Sequence, residues 1–503
     1  MHYVPRNMKK TANHPRWALD QKRPGTELRC IRGKYYLYEC SSFYDKELKK
    51  TRKKTGKYLG MISEEKGLVP PRKRQIEIKN EEIGADAAKG KVTCPPPKVG
   101  EVKEYGLSTF ISDGCAEMIN NLKETMPTMW DRVLAMAYCR LRNQSALKYI
   151  QDDFNDSFLS QTVGTAGLSA RSLTDFLKTL GKSRDQILAF MRKYATVGGN
   201  VLFDGTDILS ASAKMDFPRM SKTKLGGFAE AINLMMAFST AQMLPVYYRL
   251  LPGNVKDITS FLTSIDEFGD NSITAVGDKG FYSKKNIEEL EKRGIKYIIA
   301  LRRSTAGLDY SVFNNHNVED HFFYAGRLIK HSSQMIEGRR VYMYYDAKHA
   351  AEEETDYLRR VDDEKQEKYT LETYTAKATR FGTLAVVVSG DISARQAYDD
   401  YKSRCEVEQE IDVLKTDLDA LTSYMQDNDS LEGWMFVNFI ALHIFYMLRQ
   451  RIVKKDLTSK MSTREAIRIL CRQRIVRLDN EWQKTEASSK DKAQLEALGV
   501  PIT

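Results

Sequence analysis

The chain has 503 residues, of which 42% are hydrophobic and 29% charged, a balance that excludes a disordered chain and suits a folded core. Its net charge is +11, and its seven cysteines (Cys30, Cys40, Cys94, Cys115, Cys139, Cys405, Cys471) form no C-x-x-C, which argues against a disulfide framework or a zinc finger and fits a reducing cytoplasm. No apolar stretch follows Arg6, Lys9 and Lys10, so no secretory signal is expected, and the apolar run Trp434 to Leu448 is too short and too polar to span a bilayer.

The length predicts three or four domains. The charge is uneven. Residues 1–80 carry 21 Lys/Arg and 8 Asp/Glu, a balance of +13, and the remainder is close to neutral at −2. A basic end on a neutral body suggests a polyanion partner, nucleic acid above all, although a solubilising tail would read the same way. Residues 33–62 predict a β-hairpin in which Tyr35, Tyr36, Tyr38, Phe43, Tyr44 and Tyr58 interleave with Lys and Arg. That mixture suits stacking on bases beside neutralised phosphates, or simply a wet basic face. Residues 81–102, with Pro95-Pro96-Pro97, read as a stiff linker.

From 103 to about 198 the apolar spacing is helical, with Gly181 as a helix stop and Leu168 to Gly181 as a possible recognition helix, or an ordinary core-packing one. At 200 the period shifts towards two. NVLFDGTDIL, FAEAINLMMAFS and LPVYYRLLPG predict three consecutive strands. Then come the helix DITSFLTSIDEFG, the buried strand SITAVGD, a helix capped by Ser283 and stopped by Gly294, and the buried strand IKYIIALRR. The pattern predicts an α/β sheet with an antiparallel edge. Residues 303–390 are β-rich around a charged helix from Ala351 to Glu372. A long amphipathic helix is expected from Asp391 to Leu418, an apolar helix at 434–448, and a helix through Cys471 with a Ser462–Glu465 capping box.

Two aspartates close runs that otherwise look buried: Asp204 in FDGTDI and Asp278 in AVGDKGFYS. A buried carboxylate is costly unless it is paired or holds a metal, and neighbouring parallel strands bring their carboxyl ends together. Each aspartate could equally cap a turn. In AYDDYKSRCEVEQEIDVLKTDLD, the residues Tyr401, Arg404, Glu408 and Lys415 fall on one stripe of an ideal helix. Such a stripe suits phosphate and metal handling, or an exposed face with an Arg404–Glu408 pair.

The spacing Y-x2-R-x3-E-x6-K, present at all four positions, resembles the signature of bacterial insertion-sequence transposases of the superfamily of insertion sequence four. FDGTDI, LPGNVKDITSF and GDKGFYSKKNIEELEKRGIKYIIALR resemble that group's two aspartate regions, and the YYLYE…KTGKYLGMI segment resembles one branch of it. The resemblance implies an RNase H-like catalytic domain interrupted by a β-rich insertion. It implies Asp204, Asp278 and Glu408 as an acidic triad holding two Mg²⁺ ions, with Mn²⁺ as a substitute, and Tyr401, Arg404 and Lys415 at the DNA. Asp207 competes with Asp204, which is preferred because it matches the family's FD position. The expected partners are double-stranded inverted-repeat ends and target DNA, bound by a homodimer.

The expected organisation is a basic β-rich DNA-binding region (1–80), a linker (81–102), a helical DNA-binding domain (103–198), a catalytic core in two parts (199–302 and 391–450) around the insertion (303–390), and a C-terminal helical region (451–503). The competing functions are an inactive DNA-binding derivative, a metal-dependent nuclease without strand transfer, and, disfavoured by the cations, a glycosidase. Phe322, Phe323 and Tyr324 are candidates for stacking on an unpaired base.

Overall fold

The structure, a computed structural model, describes residues 14–45, 49–71, 99–164, 166–195, 199–210, 212, 214–222, 228–254, 257–269, 272–314, 318–362, 369–420, 422–423 and 425–500. The chain forms two compact units, Met1–Pro97 and Lys98–Thr503, where the length alone suggested three or four. The second unit is large because its helices, the strands within 199–302 and the inserted strands share one hydrophobic core. The Pro95-Pro96-Pro97 segment lies outside the described residues.

In the first unit, β1 (Thr26–Ile31), β2 (Lys34–Asp45), β3 (Lys50–Ser63) and β4 (Gly67–Val69) form an antiparallel sheet in sequence order. Ala18, Leu28, Leu37 and Ile62 make its small core, with Trp17 and Tyr35 packed against it. The expected hairpin is thus the centre of a four-stranded sheet.

The second unit opens with β5 (Val99–Glu104), a strand where a linker was expected up to residue 102. The helices of eight residues or more that follow are α1 (Ala116–Thr125), α2 (Trp130–Asn143), α3 (Ala170–Lys182) and α4 (Arg184–Ala195). The main sheet begins with β6 (Gly199–Ser210), β7 (Arg219–Lys222), β8 (Phe228–Ser239) and β9 (Leu244–Pro252). After α5 (Asp257–Phe268) come β10 (Ile273–Gly277), α6 (Lys284–Lys292) and β11 (Lys296–Ala300). Ser283 caps α6 by accepting from the Asn286 amide, as its sequence suggests. β6 pairs antiparallel with β8 and parallel with β10, and β10 pairs parallel with β11.

The inserted segment adds β12 (Asp320–Tyr324), β13 (Arg327–Ile336), β14 (Arg339–Asp346), α7 (Ala347–Asp362), α8 (Leu371–Ala378) and β15 (Thr383–Val388). β15 pairs antiparallel with β11, so the sheet continues without interruption as β12-β13-β14-β15-β11-β10-β6-β8-β7, with β9 on β8. Then follow α9 (Ala394–Lys402), α10 (Cys405–Asp412), the short β16 (Thr422–Ser423) on β6, α11 (Asn428–Lys454) and α12 (Thr463–Cys471). β17 (Arg474–Leu478), β18 (Glu481–Lys484) and α13 (Ser489–Leu498) complete the chain. β5, β17 and β18 form a separate small sheet.

α11 is the axis of this core. At 27 residues it is long and apolar enough to cross a membrane, but 89% of its most apolar window is buried in protein. It crosses α3 so closely that a Cβ on Gly181 would sit 1.8 Å from the Asp429 carbonyl oxygen, and one on Gly433 would sit 2.2 Å from that of Leu177. Gly181 is therefore inside its helix and serves close approach. The expectation that it stops the helix is corrected. α3 turns Leu173, Phe176, Leu177 and Leu180 into the core. Arg140 on α2 adds a polar clamp. It donates to Asn438 Oδ1 of α11 at 3.1 Å and to the Leu418 carbonyl, and lies over the Trp434 ring at 4.6 Å. Gln144 donates to the Thr416 and Asp417 carbonyls at 3.1 and 2.9 Å. The helical region thereby grips both α11 and the segment that follows α10.

Two predictions follow from this packing. Alanine at Gly181 or Gly433 forces two backbones apart and should destabilise the second unit by about 3 kcal/mol, read as a lowered urea midpoint. His443, wholly buried among Phe190, Tyr194 and Phe439, has its pKa pulled down by burial to about 3, with the Pro245 carbonyl opposing. Its unfolded counterpart titrates near 6.5, so the folded state should lose about 1.4 kcal/mol per pH unit below that value until the ring charges. In His443→Phe the slope of unfolding free energy between pH 6 and 4 should be shallower by that amount.

Candidate active site

Register brings the two aspartates together. Phe203 on β6 lies opposite Gly277 on β10, so the next residue of each, Asp204 and Asp278, emerges side by side. Their side chains are 15% and 32% exposed. Asp207 lies three residues beyond Asp204 on the same strand, and with a side-chain period of two it faces the other side of the sheet.

The third carboxylate arrives from the helical side, by a route that differs from expectation. The single helix expected over Asp391 to Leu418 is three pieces: α9, α10, and a π turn at Val413–Asp417. At the first break the hydrogen bonds tighten, the Arg404 amide donating to the Tyr401 carbonyl at 3.2 Å and the Glu406 amide to that of Ser403 at 2.9 Å. The break is where Arg404 is drawn inward. Its Nη1 stands 3.8 Å from Asp204 Oδ1 and 3.9 Å from Asp278 Oδ2, and its Nη2 stands 2.5 Å from Glu408 Oε1. One guanidinium thus joins three carboxylates from three elements. Burial pulls the Arg404 pKa down, but Tyr401, Asp278, Glu408 and Asp204 together raise it above its ordinary value.

Tyr401 sits beside this cluster, its ring centroid 5.9 Å from the Arg404 guanidinium carbon. Burial pushes its phenol up to about 12, against the pull of Arg404. It is a neutral hydroxyl at ordinary pH and unsuited to attack as a phenolate. Lys415 is set apart. It lies in the π turn, where the helix is underwound to i→i+5, and is exposed. Among the described residues it forms no ion pair or hydrogen bond with Tyr401, Arg404 or Glu408. On α10 the next inward residue is Glu410, which is buried with neither carboxylate oxygen hydrogen-bonded, and burial raises its pKa well above the carboxylate range. It is a core residue, distinct from Glu408.

Asp278, Lys279, Arg302, Arg303, Tyr401 and Arg404 line a cavity of about 550 Å³. Arg302 and Arg303 close β11 as Asp278 closes β10, so the signal that marks the aspartates, a charge ending a buried run, also marks this arginine pair. Sequence reading passed over it. Arg303 is anchored by the Thr383 carbonyl at 2.8 Å and Glu353 at 2.9 Å. A neighbouring cavity of about 370 Å³ is lined by Lys402, whose pKa burial lowers, and by Tyr344 and Tyr398. Of the aromatic candidates on β12, Phe322 is buried, Phe322 and Tyr324 each meet the Tyr398 ring edge-to-face at 5.3 and 5.2 Å, and Phe323 is exposed.

Among the described residues no three carboxylate, imidazole or thiol side chains are grouped closely enough for one ion. Asp204, Asp278 and Glu408 are joined instead through Arg404. As a donor set they fit a hard divalent cation, because all three offer carboxylate oxygen within 3.9 Å of one guanidinium.

Residues 199–444, just under half of the chain, match the family model described as "Transposase DDE domain". No curated protein matches the chain. Among solved structures the chain is similar to a piggyBac transposase in a synaptic complex with hairpin DNA, at 10% identity over 75% of this chain and 82% of that one, with a TM-score of 0.39. It is also similar to Mos1 transposase in a paired-end complex with the left transposon end, at 13% identity over 50% of this chain and 75% of that one, with a TM-score of 0.15. Neither superposition is close enough to carry an argument about this chain.

Because Arg404 supplies the positive charge that the three carboxylates share, a divalent ion bound there would compete with this guanidinium for the same oxygens. Arg404→Gln should bind Mn²⁺ several-fold more tightly than the parent in calorimetric titration. It should also melt lower without metal and regain stability when metal is added. Equal affinity and an unchanged metal response would overturn the competition.

Proposed function

We propose that this chain is the transposase of a bacterial insertion sequence of the superfamily of insertion sequence four. In this reading it binds the element's terminal inverted repeats, cleaves the ends and joins the 3′-hydroxyls to target DNA. The observation that carries the reading is the convergence of Asp204, Asp278 and Glu408 on Arg404, within 3.9 Å, inside the segment that matches the transposase DDE domain. The order of the central strands, β9-β8-β6-β10-β11, with an antiparallel meander followed by two parallel strands, supports an RNase H-like core.

Asp204, Asp278 and Glu408 would hold two divalent ions, Mg²⁺ with Mn²⁺ as a substitute. When bound, these would activate the attacking oxygen and neutralise the leaving one in an in-line displacement at phosphorus. The protein's own groups position the DNA. Arg404, released from the carboxylates, offers a planar donor pair to a phosphate. Arg302 and Lys279, at the same cavity, add positive charge along the strand path. Tyr401, protonated and braced against Arg404, donates a hydrogen bond and forms no covalent link. Lys415 contacts the backbone farther from the reacting phosphate. Pairing two ends for joining calls for a homodimer.

The test is a plasmid carrying the gene with its flanking DNA. Asp204→Asn, Asp278→Asn and Glu408→Gln each remove one charged ligand at nearly constant volume. Cleavage and joining should both fall by at least about a hundredfold, the scale on which even the outer partners of a metal act. Asp207→Asn, on the opposite face of β6, should be far milder. Near-normal Mg²⁺-dependent cleavage by Glu408→Gln would sink the assignment, and so would Asp207→Asn proving as severe as Asp204→Asn.

A further inference from the structure

The first unit contains a feature that its own sheet does not use. β1 pairs with β2 only along Lys34–Glu39, and β4 pairs with β3 only along Met61–Ser63. Beyond the Cys40 amide, which still donates to the Gly25 carbonyl at 2.7 Å, Ser41–Asp45 and Lys50–Lys54 have only each other as strand partners, in the register Ser41↔Lys54, Ser42↔Lys53, Phe43↔Arg52 and Tyr44↔Thr51. Residues 41–44 and 49–58 are exposed throughout, so this two-stranded ribbon buries neither face. An isolated ribbon of this kind is marginal by itself, and here its root is braced. A register shift around Tyr38 marks the point of departure. Tyr38 packs on Tyr58 at 5.3 Å, with the Arg29 guanidinium 5.2 Å over the Tyr38 ring, and Arg29 also donates to Thr55 Oγ1 at 2.5 Å.

The ribbon is predominantly basic: residues 41–55 hold Lys46, Lys49, Lys50, Arg52, Lys53 and Lys54 against Asp45 and Glu47. With a period of two, Lys50, Arg52 and Lys54 share one face with Phe43, and Lys53 lies on the other with Tyr44. Two strands about 4.8 Å apart, with their side chains, match a major groove about 12 Å wide and exceed a minor groove about 6 Å wide. Five paired positions span about 17 Å, half a turn of duplex DNA.

We propose that the β2–β3 ribbon is a reading arm that lies in the major groove of double-stranded DNA. The face of Phe43, Lys50, Arg52 and Lys54 is turned to the base edges. This inference rests on the reading of the chain as a DNA-processing enzyme and specifies how its basic end engages DNA. Arg and Lys on that face are suited to guanine edges, and Phe43 to a thymine methyl. Lys53, on the outward face, contributes only to the general field.

The experiment uses the full chain and a mixed-sequence duplex of about 30 base pairs, long enough for a half-turn arm and its flanks. Fluorescence anisotropy is read over a salt series, with the same sequence as a single strand for comparison. Arg52→Ala with Lys54→Ala should weaken duplex binding about tenfold or more and flatten the salt slope by about two counterions. Lys53→Ala should stay within about threefold of the parent. Methyl green, which occupies the major groove, should compete, and netropsin, which occupies the minor groove, should not. All these side chains are exposed, so thermal melts should be unchanged. Parental affinity in the double variant would overturn the proposal. So would Lys53→Ala matching the double variant, competition by netropsin alone, or a preference for the single strand. Plasmid cleavage by the same preparations separates the two ideas. Cleavage with ribbon-independent binding rejects the arm alone, and ribbon-dependent binding without cleavage rejects the transposase reading alone.

Discussion

The parallel pairing of β6 with β10 holds two carboxylates next to each other at a partly buried strand edge, and the surroundings answer that constraint. Two like charges a few ångströms apart in a desolvated site repel strongly, so one of them protonates or a cation stands between them. Here the cation is Arg404, and its reach is possible because the helix breaks at Ser403–Arg404. The guanidinium is planar and permanently charged, so it can meet carboxylates from a strand, a strand end and a helix at once. Beside it, burial raises the Tyr401 phenol to about 12 against the opposing pull of Arg404, which keeps it neutral.

The cluster's geometry depends on elements far from it in sequence. Glu408 is carried by α10, and the end of that segment is held by α2. Arg140 reaches the Leu418 carbonyl, and Gln144 those of Thr416 and Asp417. Burial lowers the Arg140 pKa to about 10, which still leaves the group charged. Its donors are satisfied by Asn438 and by the carbonyls of Gln144, Ser145 and Leu418. A buried cation of this kind is costly unless every donor is used, so it fixes one arrangement of three elements more strictly than apolar contacts would. The helices before β6 thus act as a frame for the acidic cluster, whatever else their outer surfaces bind.

Much of this was legible in local sequence. The strands around Asp204 and Asp278 announce themselves by apolar runs ended by a charge. Ser283 and Ser462 announce helix starts because capping is decided within four residues. The features that escaped are those set by tertiary contact. Gly181 looks like a helix stop until α11 is brought against it, when its missing Cβ becomes the condition for the crossing. The inserted strands look like a separate body until β15 is seen paired to β11. The apolar helix was read as 15 residues because its polar ends, from Asn428 and to Lys454, do not follow the apolar pattern.

The Y-x2-R-x3-E-x6-K spacing is the clearest case of a pattern whose sequence meaning and structural meaning differ. On an ideal helix the four residues form one stripe, which suggests four side chains acting along a line. In the folded chain the first three converge because the helix is interrupted between Tyr401 and Glu408, which turns Arg404 out of the stripe and into the acidic cluster. The fourth lies in the π turn, which winds fewer degrees per residue than an α-helix, and is exposed. The spacing therefore encodes two irregularities as much as four side chains. A regular helix with the same residues would satisfy the pattern and leave Asp204 and Asp278 without a shared counter-charge.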